Sequence, residues 1–188
     1  NTVVFPSWCT GGCLHVISKD RLADPMELAD YFERYRIDCL KIVPSHLAAL
    51  LTGPDPQKLM PHRRLILGGE ASRCDWIENL QKYATDCRIF NHYGPTETTV
   101  GVLTYPVGGV LPALVSGTLP LGRPLPNSKI YILDAQQQPV PVGVPGQLYV
   151  SGDGVTRGYW NRPEKTAERF MTNWFSDQPG DRMYRTGD

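Results

Sequence analysis

The residues best suited to chemistry form one run between Asn91 and Thr99. This run combines an amide, an imidazole, a phenol ring, several hydroxyls and a carboxylate, which is more polar chemistry than a structural loop needs. Its Gly-Pro pair predicts a tight turn, and the hydroxyl of Thr96 and the carboxylate of Glu97 suit a phosphate and its Mg²⁺. The run therefore predicts a binding site for a phosphate-containing ligand.

Two other segments carry weaker signals. Gly68 and Gly69 stand between a predicted strand and a predicted helix, where a double glycine lets a ligand approach the backbone. Such turns also use glycine for geometry alone. Gly152 and Gly154 suggest a dinucleotide-binding turn, but the next glycine comes one position too late for that motif.

Alternating strands and helices must position these segments. Apolar runs predict four strands, at residues 13–17, 39–43, 64–68 and 87–90, and the chain is expected to begin in mid-strand. The predicted helices begin at Asp24-Pro25, Pro44-Ser45 and Ser72. This order predicts an α/β fold with a parallel sheet and flanking helices, a Rossmann- or flavodoxin-like arrangement that binds ligands at the carboxyl ends of its strands.

A β-rich part follows. Residues 105–126 are rich in glycine and proline, which predicts turns and short extended segments. Strands are predicted at residues 129–133 and 146–152, and a helix near residues 164–170. We therefore expect two subdomains: an α/β subdomain at residues 1–116 and a β-rich, partly barrel-like subdomain at residues 117–188.

Composition restricts the class of protein. Lys and Arg together number 19, as do Asp and Glu, so no basic field favours nucleic acid or an anionic membrane as a partner. No apolar run is long enough to span a membrane, and the first residues lack the basic region that is typical of a secretion signal. The five cysteines are expected to be buried free thiols in a reducing cytoplasm. We expect a cytoplasmic protein and a piece of a larger chain.

Three ordered motifs resemble those of the adenylation domains of nonribosomal peptide synthetases, in the adenylate-forming superfamily. They are Asn91-His92-Tyr93-Gly94-Pro95-Thr96-Glu97, the segment from Gly146 to Tyr159, and Tyr184-Arg185-Thr186-Gly187-Asp188. In the second motif, Gln147 and Thr156 depart from the family pattern. The resemblance implies an enzyme that forms an aminoacyl adenylate from an amino acid and ATP. The acyl group would then pass to the phosphopantetheine thiol of a carrier domain, with condensation domains in the same chain.

The resemblance also implies roles for individual residues. Asn91 would hydrogen-bond to adenine, Tyr93 would stack on it, and Asp188 would bind the ribose. Thr96 would contact the α-phosphate and Glu97 would hold Mg²⁺, which makes these two the catalytic residues. The rest of the nucleotide site would be lined by Gly69, Glu70, Ala71, His92 and Gly94.

Alignment on the same motifs implies an amino-acid pocket lined by Lys41, Ile66, Gly68, His92, Val100 and Gly101. Lys41 interrupts an apolar strand, where an unpaired ammonium would be costly to bury, and a substrate carboxylate would pair with it. The pattern resembles that of aspartate-activating domains, whereas asparagine-activating relatives tend to carry Glu in place of His92. The alternative is that Lys41 reaches solvent or pairs with an internal acid such as Glu70.

The family's phosphate loop, its Phe-Asp motif and its C-terminal catalytic lysine do not occur in these residues. We therefore expect the chain alone to be unable to activate an amino acid. Two other interpretations remain open. One is an acyl- or aryl-CoA ligase, against which the Tyr-Gly-Pro-Thr-Glu sequence argues, and the other is a non-catalytic excised subdomain.

Overall fold

The computed structural model describes residues 2–109, 111 and 116–188, which form two compact units. The first unit contains Asn1–Tyr93 and Thr104–Gly122, and the second contains Gly94–Leu103 and Arg123–Asp188. Residues 110 and 112–115 of the glycine- and proline-rich segment lie outside the described residues. The division into functional subdomains at residues 116 and 117 stays a prediction.

The first unit is built on parallel strands. Its elements are α1 (Val4–Cys9), α2 (Lys19–Ala23), α3 (Pro25–Tyr35), β1 (Cys39–Ile42), α4 (Pro44–Leu50), β2 (Arg64–Gly68), α5 (Cys74–Gln81) and β3 (Arg88–Tyr93). Strand β4 (Leu103–Val107) follows, and a short 3-10 turn occupies Pro56–Leu59. β1 to β4 are neighbours in sequence order within one sheet, and β1, β2 and β3 run parallel.

Helices cover the sheet with apolar side chains. In α5, Ile77 and Leu80 are fully buried and pack in one cluster with Leu65 and Leu67 of β2. Helix α3 begins as predicted, because the Asp24 carboxylate accepts hydrogen bonds from the backbone N–H groups of residues 26 and 27. These contacts confirm the predicted α/β fold with flanking helices.

Three predictions of secondary structure and helix capping in this unit were wrong. Residues 4–9 form a helix rather than the end of a strand, and residues 13–17 form no strand. Val16 in that segment is 86% exposed. An apolar segment forms a strand only where it can pair with and pack against neighbours, and residues 13–17 pair with no strand in the described part of the chain. Ser72 does not cap α5, because its hydroxyl donates to Asn91 instead.

The cysteines are free, as expected, but none of the five is buried. Cys9 ends α1, a short helix without buried residues, and Cys13 follows it. Cys39 begins β1, which lies at the edge of its sheet. These three thiols are therefore exposed, and the other two are half-buried.

The second unit contains a separate antiparallel sheet. The elements of this unit are a 3-10 turn (Thr96–Thr98), β5 (Arg123–Pro124), β6 (Ser128–Leu133), β7 (Gln147–Gly152), α6 (Pro163–Arg169), β8 (Phe170–Thr172) and β9 (Arg182–Arg185). The sheet order is β6-β7-β9-β8, and Leu133, Tyr149 and Met183 form its buried cluster. The β-rich second part is therefore confirmed. No helix in the described part of the chain is both long and apolar enough to cross a membrane.

Ile77 offers a direct test of the helix-to-sheet packing. We expect Ile77→Ala to lower the free energy of unfolding by about 2–5 kcal/mol, because the lost side chain leaves a cavity against β2. Val16→Ala, at an exposed position of the same unit, should change it by less than about 0.5 kcal/mol. Urea unfolding measures both, and equal effects of the two variants would contradict this packing.

Candidate active site

One face of the parallel strands carries four of the predicted pocket residues. Lys41 on β1 pairs in register with Ile66 on β2, and Gly68 on β2 pairs with His92 on β3. Because side chains alternate along a strand and registered partners share a face, these four positions face the same side of the sheet. The alternate position Leu67 is buried in the apolar cluster.

Lys41 is half-buried and has a polar partner within its own unit. Its Nζ donates to the Thr2 Oγ1 at 2.6 Å, and burial lowers the pKa of Lys41. None of the ion pairs among the described residues includes Lys41. The Glu70 carboxylate instead accepts hydrogen bonds from the Ser45 N–H and hydroxyl, at 3.0 and 2.8 Å. The alternative pairing of Lys41 with Glu70 is therefore wrong.

The positive charge of Lys41 affects the pKa of His92. Burial lowers the pKa of His92 below the ordinary value for histidine, and the positive charge of Lys41 lowers it further. The imidazole is accordingly neutral at neutral pH. A carboxylate bound near both groups would act in the opposite direction and favour the protonated imidazole.

The turn after β2 depends on glycine for two different reasons. A Cβ on Gly68 would come within 2.5 Å of the His92 carbonyl oxygen, so no side chain fits between β2 and β3 there. Gly69 has a φ of 89°, in the left-handed region that side chains disfavour. Glu70 and Ala71 follow as exposed residues. The absence of a side chain at Gly68 is thus a requirement of strand packing, whatever space it leaves for a ligand.

Asn91 near the end of β3 is oriented by its neighbours. Its Oδ1 accepts a hydrogen bond from the Ser72 hydroxyl at 3.3 Å, and its Nδ2 donates to the Pro120 carbonyl at 2.8 Å. The residue is only 4% exposed, whereas Tyr93, two positions later, is half-buried. The structure thus places Asn91, His92 and Tyr93 together at the carboxyl end of β3, as the sequence predicted.

In the second unit, the loop at residues 94–101 closes on itself. The Val100 N–H donates to the Pro95 carbonyl at 3.2 Å, and a Cβ on Gly94 would overlap the Val100 carbonyl oxygen. Thr99 and Val100 have φ angles of 58° and 75°. Such values are unfavourable for β-branched residues, and strain of this kind collects at functional sites.

Glu97 lies at the meeting point of two predicted motifs. Its carbonyl accepts from the Thr156 N–H at 2.8 Å, and its Oε1 accepts from the Tyr159 hydroxyl at 2.5 Å. The neighbouring Thr99 hydroxyl donates to the Gly154 carbonyl at 2.6 Å. Burial opposes ionisation of Glu97, but the hydrogen bonds, led by that of Tyr159, outweigh it and lower the pKa of the carboxyl. Glu97 is therefore an anion at neutral pH.

The contact between Tyr159 and Glu97 could not be found from the sequence. Tyr159 stood inside a recognised motif, but nothing in its spacing indicated a partner 62 positions away. The Tyr184 hydroxyl lies 3.4 Å from that of Tyr159 and brings the third motif to the same place. All three motifs thus contribute to the surroundings of one carboxylate.

Asp188 follows β9 and its backbone is fixed. Its N–H donates to the Thr186 hydroxyl at 3.0 Å, and its carbonyl accepts from the Leu148 N–H at 2.9 Å. The side chain is exposed. Thr96 is likewise exposed, and Gly101 is half-buried.

The oxygen chemistry of Glu97 fits a hard cation such as Mg²⁺. Within the described residues, no group of three His, Cys, Asp or Glu side chains could hold a metal ion. Mg²⁺ commonly binds through one or two carboxylates together with substrate phosphates and water, so a single glutamate is sufficient.

Comparison with known proteins decides the family. The model of the AMP-binding enzyme family matches residues 1–160. The chain belongs to this family. It is 42% identical over 181 residues to chondramide synthase cmdD of Chondromyces crocatus, a match that covers 95% of this chain and 4% of that protein. It is also 40% identical over 185 residues to tyrocidine synthase 3 of Brevibacillus parabrevis, covering 98% of this chain and 3% of that protein.

A solved structure supports the same conclusion. A holo four-domain nonribosomal peptide synthetase bound to AMP and glycine is similar with a TM-score of 0.78 at 35% identity. The match covers 95% of this chain and 13% of that one. The resemblance to nonribosomal peptide synthetase adenylation domains is therefore confirmed. This AMP-binding family member spans only a small part of the relatives that it matches.

The charge relation between Lys41 and His92 can be measured. We expect an NMR titration of this AMP-binding family member to give a His92 pKa below the ordinary histidine value. Lys41→Met should raise this pKa by removing a like charge, without fully restoring it, because burial is the larger cause. Lys58→Met removes a lysine that pairs with Glu33 and should leave His92 unchanged. An unchanged His92 pKa in the Lys41→Met variant would contradict the proximity of the two side chains.

Proposed function

We propose that this chain is the inner part of an amino-acid-activating adenylation domain. The amino acid carboxylate attacks the α-phosphorus of ATP, an oxygen–phosphorus bond forms, and pyrophosphate leaves. The acyl group then passes to the phosphopantetheine thiol of a carrier domain, beside condensation domains in the same protein. The observation that carries this proposal is the Glu97 carboxylate, which residues from all three adenylation motifs surround. The relatives support it.

The proposed nucleotide site uses residues from the first motif and from the turn after β2. Tyr93 stacks on adenine and Asn91 hydrogen-bonds to it, from a side chain already oriented by Ser72. Within the first unit, the slot is further lined by Gly69, Glu70, Ala71 and His92. Because the Glu70 carboxylate is engaged by Ser45, we assign its contribution to the backbone.

In the second unit, the proposed roles concern charge. Thr96 donates its hydroxyl to the α-phosphate, Glu97 holds Mg²⁺, and Asp188 accepts hydrogen bonds from the ribose hydroxyls. Bound Mg²⁺ neutralises negative charge that builds on the phosphate oxygens in the transition state. The low pKa of Glu97 keeps its carboxylate ionised, as a metal ligand must be.

We further propose that the amino acid is aspartate. Lys41 and His92 present a half-buried ammonium and an imidazole on one face of the sheet, with Ile66 and Gly68 beside them. The β-carboxylate of aspartate would supply the opposite charge that Lys41 lacks among the described ion pairs. We also propose a cytoplasmic location, which the free cysteines support.

Amino acid selectivity tests the charge argument. In the complete adenylation domain that contains this chain, pyrophosphate exchange with all proteinogenic amino acids should favour aspartate over asparagine. Lys41→Ala should reduce kcat/KM for aspartate by about 30-fold or more, since an unpaired buried charge costs about 2 kcal/mol or more. Lys58→Ala serves as the matched control. Preference for an apolar amino acid would contradict the proposed pocket.

The isolated chain provides a second test. We expect the 188 residues alone to give no amino-acid-dependent pyrophosphate exchange, because the phosphate loop and catalytic lysine of the family do not occur in them. The complete domain, assayed in parallel, is the positive control. Exchange by the chain alone, dependent on an added amino acid, would overturn this expectation.

A further inference from the structure

We propose that Tyr159 is a positioning residue that holds the Glu97 carboxylate in the orientation needed to bind a divalent cation. This inference rests on the proposed function of Glu97 and adds a residue to it. Tyr159 itself touches neither nucleotide nor amino acid in this proposal. It acts through Glu97 alone.

The hydrogen bond between these residues is of a strong kind. The Tyr159 hydroxyl donates to the Glu97 Oε1 at 2.5 Å, and hydroxyl-to-carboxylate bonds of this length are charge-assisted. Because the bond engages one of the two carboxylate oxygens, Oε1, it limits rotation of the carboxyl group. The direction in which the other oxygen points is then fixed as well.

Tyr159 can impose this orientation because its own position is fixed. Its N–H donates to the Thr166 hydroxyl of α6 at 2.9 Å, and its ring packs edge-on against Phe170, with 5.5 Å between centroids. The preceding Gly158 has a φ of 134°, and a Cβ there would overlap the Thr166 side chain. The backbone therefore approaches α6 too closely for any residue but glycine, and this approach aims the phenol.

The same segment also fixes the backbone of Glu97. The Thr156 N–H donates to the Glu97 carbonyl at 2.8 Å, while the Arg182 guanidinium donates to the carbonyls of Thr156 and Arg157, both at 2.9 Å. Main chain and carboxylate of Glu97 are therefore both held by residues 156–159. Because its main chain and one carboxylate oxygen are already held, Glu97 loses little conformational freedom when it binds a cation.

Groups that hydrogen-bond to a metal ligand orient it, and removing them commonly weakens metal affinity about 10–100-fold. A structural role for Tyr159 is the competing explanation, since its ring packs on Phe170. The two differ in which part of the side chain matters. Phenylalanine keeps the ring and its packing, whereas only the hydroxyl reaches Glu97.

The test compares Tyr159→Phe with Tyr149→Phe in the complete adenylation domain. Tyr149 lies on β7 in the same unit and donates its hydroxyl to Gln147 at 3.4 Å, so its variant removes an equivalent group elsewhere. Binding of Mn²⁺ in the presence of a non-hydrolysable ATP analogue is followed by electron paramagnetic resonance, and thermal unfolding is recorded for each variant.

We expect Tyr159→Phe to raise the Mn²⁺ Kd about 10–100-fold with little change in melting temperature. Tyr149→Phe should leave the Kd unchanged. Adding Tyr159→Phe to Glu97→Gln should weaken Mn²⁺ binding no further, because the two residues act as one unit.

The possible failures are distinguishable. If Glu97→Gln weakens Mn²⁺ binding but Tyr159→Phe does not, the positioning role is overturned and the proposed function stands. A fall in melting temperature without a change in Kd gives Tyr159 a structural role and also overturns it. If Glu97→Gln itself leaves Mn²⁺ binding intact, the proposed metal role of Glu97 fails. Additive effects in the double variant would contradict action through Glu97.

Discussion

The register of β1, β2 and β3 is the constraint on which the candidate pocket depends. Leu65, Leu67 and Ile89 must face the helices to be buried, and strand alternation then sends Lys41, Ile66, Gly68 and His92 to the other face. A slip of one residue would exchange the two sets and place an ammonium in the apolar cluster. Burial of leucine and isoleucine therefore determines where the charged and polar side chains stand.

A comparable constraint in the second unit comes from backbone atoms that leave no room for side chains. Gly94 adjoins the Val100 carbonyl, and a Cβ on Gly154 would lie 2.8 Å from the Thr98 carbonyl. These close approaches bring the loop around Glu97 and residues 152–159 within hydrogen-bonding distance. The resulting bonds offset the strain of the positive φ angles at Thr99 and Val100.

The sequence predicted most elements whose signals are local. Asp24-Pro25 marked α3, and the apolar run at residues 64–68 coincides with β2. The prediction failed where partners decide the structure: residues 13–17 have an apolar pattern but no neighbouring strand, and Ser72 bonds to Asn91 rather than to a helix end. The motifs located the polar residues of the candidate site. They did not reveal the Tyr159 contact, which depends on how distant segments of the second unit pack.

The two candidate sites, around Glu97 and around Lys41 and His92, differ in whether the chain itself stabilises the charge of the side chain. Glu97 is stabilised as an anion by hydrogen bonds from its own unit, so its charge is established before any ligand arrives. Lys41 has only a neutral hydroxyl as its described partner, and burial disfavours its charged form. His92 is likewise disfavoured as a cation, in part by Lys41. A bound carboxylate would relieve both penalties at once, because it favours the protonated form of each group. Selectivity for an acidic side chain would then arise from charges that the fold leaves uncompensated, and a neutral side chain of similar size would gain no such relief.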